Sequence, residues 1–479
     1  MAEVNLDNQH PDYQATLDSR TRSRDLYEGW RAVKANAETY LFREPREKDE
    51  DYLLRVKRAV LDNWVEKVVQ ARQAVIFRKT PKRTLPKAIE AYIGNADRNG
   101  TSAGVFFETA AFEAQVDGIH WVIVDMPQAP EEGHRSLAEE KLSQHRPFFQ
   151  HIPANNVIDW EIGPDGAMLW AVVSQSRSTE RLTPGVPAST IPQWKIWYRD
   201  HFELYEASAD DKKKTALVSE GPNTSGVVPL VPFFGIKRTE QSGFAVVEKL
   251  IEHVTLIYNK RSDLDRSERI AAHPTPYVIS PVKLELLNMA NGFWICSKDA
   301  AGIPVEVGML ETSGVAFGSI RESIAGIVQT IQANALAQAK KDSAQTESAD
   351  SQKEYKATFN SSLRSASMSY ESSETQCWDI FGKWIGVPVP EKSVAYNRDF
   401  DDRTIDEAMI ARLMDLAGGK PVITQATLLK ALQRGEIIDP DLNVDQEIAA
   451  LKAEEASATE ALAKTLVPVA DTLPQEPST

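Results

Sequence analysis

The stretch GFAVVEKLIEHVTLIYNKRSDLDRSERIAAHPTP, residues 243–276, decides how this chain is read. Val246, Val247, Leu250, Ile251, Val254, Ile257 and Tyr258 recur at three- and four-residue steps, so they share one face of a helix drawn from Gly243 to Ala271. Pro274 and Pro276 stop it, because proline cannot donate to the preceding turn and clashes with it. An insert follows from His273 to Gly314. Its runs Tyr277-Val278-Ile279 and Phe293-Trp294-Ile295-Cys296, divided by Pro281, Gly292, Gly302 and Pro304, read as roughly two to four short strands. A second helix is expected from Ser319 to Ala339, with Ile320, Ile324, Ile327, Val328, Ile331 and Leu336 as its stripe. Two long amphipathic helices around an insert too small for its own core need a partner surface, and identical neighbours in a ring would supply one. Unpaired strand edges in the insert could likewise be completed by a neighbour.

Before this core, Asp18 to Phe77 carries a helical period through Leu26, Trp30, Val33 and Ala37, and again through Tyr52, Val56, Val60, Trp64 and Val68. A charged break from Arg43 to Asp51, containing Pro45, separates the two. From Thr101 to Phe234 the character turns to β, with Ile119 to Asp125, Met168 to Val173 and Trp194 to Tyr198 as strand runs. Ser208 to Lys214 reads as a solvated hairpin tip. After the core, Lys340 to Ser348 is polar and aperiodic, and Lys353 to Ile385 is a serine-rich helix closing on Cys377, Trp378, Phe381 and Trp384. Further helices are expected at Asp406 to Leu416, Gln425 to Gln433 and Asp445 to Lys464, before a proline-bearing tail expected to be disordered.

The chain has 479 residues, enough for several structural regions, and its 42% hydrophobic and 26% charged residues are those of a globular protein. The polar, acidic start from Met1 to Asp12 is not a secretory signal, and no long apolar run suggests a membrane span. Two cysteines, Cys296 and Cys377, provide no disulfide framework and read as small buried apolar residues. A net charge of −15 argues against tight nucleic-acid binding but is compatible with a conduit along which a duplex slides. Basic residues are in excess from Arg20 to Arg83 and acidic residues from Thr404 to Thr479, so the two ends face different surroundings or each other.

Motifs of catalysis are weak. Gly100-Thr101-Ser102-Ala103-Gly104 matches the nucleophile-elbow pattern, but the polar Asn95 to Asn99 precedes it where a buried strand is needed. A soluble hydrolase using Ser102 or a carboxylate pair is therefore only the alternative reading, as is a head adaptor without a channel. His120, His134, His145 and His151 fit no metal-ligand spacing, and His120 sits in an apolar run as a packed neutral ring would. Gly418-Gly419-Lys420 is followed by Pro421 and is no phosphate loop. Arg55, Lys57 and Arg58 could touch phosphate, although a solvated helix face is the simpler reading. No enzyme activity, cofactor or metal is expected.

Several phrases occur in one order along the chain. They are Trp121-Val122-Ile123-Val124-Asp125-Met126-Pro127, Arg146-Pro147-Phe148-Phe149 with Ile158-Asp159-Trp160, and Pro229-Leu230-Val231-Pro232-Phe233-Phe234. Ile257-Tyr258-Asn259-Lys260-Arg261-Ser262-Asp263 and His273-Pro274-Thr275-Pro276 complete the set. Together, over residues 10 to 460, they resemble bacteriophage portal proteins, specifically a portal-like group with an otherwise uncharacterised domain; Ile119 to Val122 replaces the group's usual glycine-alanine strand start.

The resemblance implies an α+β, portal-type fold. An N-terminal arm (1–17) leads to a wing, helical then mainly β (18–240), and then to stem helix 1 (241–272), a small β-containing clip (273–314) and stem helix 2 (315–339). A tunnel loop (340–350), a wing helix and return (351–403), a helical crown (404–464) and a disordered tail (465–479) follow. It implies a ring, of about twelve copies, at one capsid vertex of the virion, made in the host cytoplasm and without a membrane. Its partners would be the terminase large subunit, adaptor or head-completion proteins, the major capsid and scaffolding proteins, and double-stranded DNA passing without sequence specificity. The site residues are then Lys340, Lys341, Ser343, Gln345 and Thr346 for the tunnel loop, and Tyr277, Ile279, Phe293 and Trp294 for the clip. Val247, Leu250, Val254, Ile257, Ile324, Ile327 and Ile331 would pack the stem.

Overall fold

A computed structural model describes residues 6–127, 145–178, 190–207, 215–272, 275–279, 306–310, 314–335, 349–400, 425–434, 438 and 442–465. The chain divides into two compact units, Met1–Phe400 and Asp401–Thr479. In the first, helices α1 (Pro11–Glu28), α2 (Trp30–Ala35), α3 (Ala37–Tyr40), α4 (Asp49–Arg58) and α5 (Trp64–Ile76) precede strand β1 (Lys82–Arg83), α6 (Lys87–Glu90) and α7 (Ala103–Asp117). Then come β2 (Ile119–Asp125), β3 (Phe148–Ile152), β4 (Val157–Ile162), β5 (Met168–Ser178), β6 (Thr190–Tyr198), β7 (His201–Ala207), β8 (Thr215–Pro222) and β9 (Leu230–Phe234). The unit continues through β10 (Ile236–Lys237), β11 (Gly243–Phe244), α8 (Ile251–Ala272), β12 (Thr275–Ile279), β13 (Glu306–Leu310), α9 (Val315–Ala335), α10 (Ala349–Ile385) and β14 (Val394–Ala395). The second unit holds α11 (Gln425–Arg434) and α12 (Val444–Thr465). The protein is α+β, as the patterns predict.

Helix α1 starts seven residues before the apolar period suggests. Pro11 occupies its first turn, where a missing N–H costs nothing, and the His10 ring accepts from the Asp12 amide at 3.1 Å. The expected β region is interrupted at its start by α7, which buries Phe106, Phe107, Ala110, Ala111 and Ala114 together with the polar Gln115 and Asp117, while the apolar Val105 is exposed. Where apolar and buried positions do not coincide, no clear amphipathic period reveals the helix.

Strand β2 is central in the order β3-β2-β9 and is buried on both faces. Successive side chains point to opposite sides, so Val122 and Val124 join α7 and α10 in one core, while Ile119, Trp121 and Ile123 join the second sheet in another. That sheet is an antiparallel meander, β4-β5-β6-β7-β8. The predicted hairpin tip falls between the paired Ala207 and Thr215, and residues 208–214 lie outside the described residues.

The first central helix begins at Ile251, not at Gly243. Gly243–Phe244 instead pairs with Ile236–Lys237, and a Cβ built at Gly118 would lie only 2.6 Å from the Gly243 carbonyl oxygen. Glycine is needed at both places because two backbones touch there, and Gly118 also takes a φ of +86° as it ends α7. The second central helix runs Val315–Ala335, earlier than the predicted Ser319 to Ala339, and residues 336–348 lie outside the described residues. The serine-rich helix starts at Ala349 rather than Lys353. In the second unit the helices predicted at Gln425 and Asp445 are present, and Asp406 to Leu416 lies outside the described residues, as does the tail beyond Thr465.

Candidate functional site

Helices α8 and α9 form the element from which function is read. Strand β12 leaves α8 directly, pairs antiparallel with β13 from Thr275↔Leu310 to Ile279↔Glu306, and β13 leads back into α9. The two helices therefore run in opposite directions, and Glu268 near the end of α8 forms an ion pair with Arg321 near the start of α9. With 22 residues, α8 is about 33 Å long at 1.5 Å rise per residue.

The pair is rooted at one end only. Val247, Leu250, Val254, Ile257, Ile324 and Ile331 are buried in one core with α4 and α5 residues, and Ile327 packs against it half-buried. Beyond that root, no described side chain of α8 after Ser262 is buried, and none of α9 before Ile324. Of the described α9 side chains only Ile324 and Ile331 are buried, although the helix is among the most apolar in the chain.

A polar clamp fastens the root. Asn259 is buried; its amide donates to the Tyr40 carbonyl oxygen at 2.7 Å and its own carbonyl accepts from the Phe42 amide at 2.8 Å. Arg55, read from sequence as a solvated or phosphate-contacting residue, is instead buried. It donates to both carboxylate oxygens of Glu47 at 2.9 and 2.7 Å and to the Phe42 carbonyl at 2.6 Å. These bonds hold the Glu47 carboxyl below its ordinary range. Neither Asn259 nor the Arg55–Glu47 pair announces itself in the sequence, because the partners of Asn259 are backbone groups of a distant turn and Arg55 reaches eight residues back to a side chain outside its own helix. Lys57 and Arg58 are exposed.

Tyr277 and Ile279 sit in β12 opposite Gly308 and Glu306. Phe293, Trp294 and Cys296, and the loop residues Lys340, Lys341, Ser343, Gln345 and Thr346, lie outside the described residues.

The catalytic motifs resolve into structural roles. The Ser102 hydroxyl accepts from the Val105 amide at 3.4 Å and caps α7, so the nucleophile-elbow match marks a helix start. Two of the four histidines meet: His120 Nε2 lies 3.0 Å from His151 Nδ1, and Phe106 stacks on His151 with centroids 3.9 Å apart. Burial, with the neighbouring ring and Arg24 adding to it, pushes His120 down to about 3, and burial brings His151 to about 4, so both rings are neutral near pH 7. His134 lies outside the described residues. Among the described residues no three His, Cys, Asp or Glu side chains converge as a metal site requires. Cys377 is fully buried, and its thiol is pushed up by burial and by Glu374, as suits an inert core residue. No helix of the described residues is long and apolar enough to cross a membrane.

No family model and no curated protein matches the chain. Among solved structures it is similar to a chain of the neck of a native GTA (gene transfer agent) particle computed with C12 symmetry. The two share 9% identity over 82% of this chain and 96% of that one, at a TM-score of 0.39. A chain of the neck of an empty GTA particle computed with C6 symmetry is 9% identical over 83% and 97%, at a TM-score of 0.38.

Proposed function

We propose that this chain is a non-enzymatic subunit of a phage-type head-to-tail connector, a portal, which closes into a ring around a channel for DNA. The observation that carries the reading is the helix pair of α8 and α9, rooted in the core at one end and carrying the β12–β13 ribbon at the other. A stalk whose apolar α9 is so little covered within its own chain is stabilised when identical stalks stand side by side, and cyclic symmetry provides that contact without open ends.

In this reading α8 and α9 are the stem, the ribbon and residues 273–314 are the clip, the α1 to β11 region with α10 is the wing, and the second unit is the crown. Residues 340–350 form the loop facing DNA, with Lys340 and Lys341 in transient phosphate contact. The ring stands at one capsid vertex, takes the packaging motor first and adaptor or tail proteins afterwards, and touches capsid and scaffolding proteins.

Negative-stain imaging of the purified full chain tests the proposal. A ring of about twelve subunits with an axial channel is expected, and a homogeneous small particle at every concentration would sink it. Deleting Lys340 to Ser348 is expected to spare ring assembly and impair DNA packaging or retention; normal packaging removes the role given to that loop.

A further inference from the structure

The N-terminal helices carry a face that the described residues leave uncovered. Of the large hydrophobic side chains exposed to solvent, Trp30, Phe42, Leu53, Leu54 and Val60 fall within one stretch, with Trp30 58% and Val60 62% exposed. Leu53 and Leu54 stand one turn before Lys57 and Arg58 on α4, so two leucines and two cations share a side of that helix. Lys34 ties α2 to this side: its Nζ donates to the Lys57 carbonyl oxygen at 2.8 Å and lies 5.8 Å from the Trp30 ring, with the Arg31 guanidinium 5.4 Å from the same ring.

The charges on this face are unbalanced. Arg43, Arg55 and Arg261 nearby each hold a carboxylate, whereas the four cations Arg31, Lys34, Lys57 and Arg58 hold none among the described residues and outnumber the exposed Glu50 and Asp51 one turn before the leucines. Past Arg58 and Val60 the face opens into a cavity of about 540 Å³ between the α4–α5 link and the α8–α9 pair, walled by Ile324 and Val328 and by Asp265 and Glu268, whose carboxylates are held by Arg269 and Arg321. The hydroxyl of Ser262, a residue 4% exposed, lines that cavity without a hydrogen-bond partner among the described residues. Exposed apolar side chains flanked by cations are what a protein-binding face offers, and tryptophan and arginine are its usual anchors.

We infer that this face docks an acidic amphipathic helix of a partner protein. Its aliphatic side chains cover Leu53, Leu54 and Val60, its carboxylates meet Lys34, Lys57 and Arg58, and a polar group at its end reaches Ser262. Helix-in-groove recognition uses such anchors at three- and four-residue steps. Duplex DNA suits the face less well, because the leucines gain nothing from phosphate. The inference does not depend on the ring reading.

Binding to the full chain is measured by fluorescence anisotropy with four probes. They are a synthetic helical peptide with leucines at i, i+3, i+4 and i+7 and glutamates elsewhere, the same peptide with lysine for glutamate, a DNA duplex, and anionic phospholipid vesicles followed by co-sedimentation. The acidic peptide is expected to bind, and to lose about ten-fold in affinity with Lys57→Glu plus Arg58→Glu. A similar loss is expected with Leu53→Ser plus Leu54→Ser, with circular dichroism unchanged in both variants. Equal binding of the lysine peptide, or acidic-peptide binding that both variants retain, overturns the inference. Binding of the duplex or the vesicles that the same substitutions abolish assigns the face to nucleic acid or membrane and overturns it as well. Loss of the chain's own oligomer in these variants would make the face an interface between copies, which also overturns it.

Discussion

The guanidinium of Arg83 donates to both carboxylate oxygens of Glu374, at 2.6 and 3.1 Å, where the Glu374 side chain has no exposed surface at all. Trp378 Nε1 and the Tyr396 hydroxyl complete the shell at 3.1 and 2.7 Å, so one carboxylate joins β1, α10 and the segment after β14. A buried charge is tolerable only while it is paired and hydrogen-bonded, and removing one partner is far more damaging than never having had the pair.

Arg83→Met should therefore lower the stability of the first unit by roughly 3–5 kcal/mol, the range for breaking a buried ion pair. Urea unfolding followed by tryptophan fluorescence measures it. A change below about 1 kcal/mol would show that Glu374 is not the junction described.

The His120–His151 pair predicts the pH dependence. Both rings bind a proton near pH 6.5 when unfolded but only near about 3 and about 4 when folded, so the unfolded state takes up protons first as pH falls. Stability from this pair is fully present above about 6.5 and declines on acidification towards 4, by about 1.4 kcal/mol per pH unit for each ring. His120→Met should make the fall in melting temperature between pH 6.5 and 4.5 shallower. An unaltered slope would place the acid sensitivity elsewhere.

Gly118→Ala should cost roughly 1–3 kcal/mol, since the added Cβ meets the Gly243 backbone at a φ that L-residues avoid. Gly166→Ala is the control, because it shares a positive φ but has nothing within 4 Å. Thermal melts in which the two variants lose equally would contradict the close approach.

Asn259→Ala removes the donor to Tyr40 and the acceptor for Phe42, leaving buried backbone groups unpaired at about 1–3 kcal/mol each. Hydrogen exchange should accelerate first at the Ile251 end of α8 and at residues 40–42. Uniform protection across α8 in the variant would mean that Asn259 does not fasten the stalk.

Local periodicity sufficed for much of this protein. The stripe from Ile251 to Tyr258, its partner from Ile324 to Ile331, and the prolines that stop α8 can be read directly, because a half-buried helix repeats its apolar face every three or four residues. Strand β2 was legible for the same kind of reason, its unbroken apolar run being what a strand buried on both faces requires. Where the period fails, so did the reading: α7 exposes the apolar Val105 while burying Gln115 and Asp117, and the glycine at 243 belongs to a backbone crossing whose other half lies more than a hundred residues away. Tertiary structure alone decided that Ser102 caps a helix, that Arg55 is sealed against Glu47 while Lys57 and Arg58 stay free of carboxylates among the described residues, and that Asn259 grips the turn at Tyr40. Each is a polar group defined by its partner, and a partner's position follows from how the whole chain packs, not from any spacing along it.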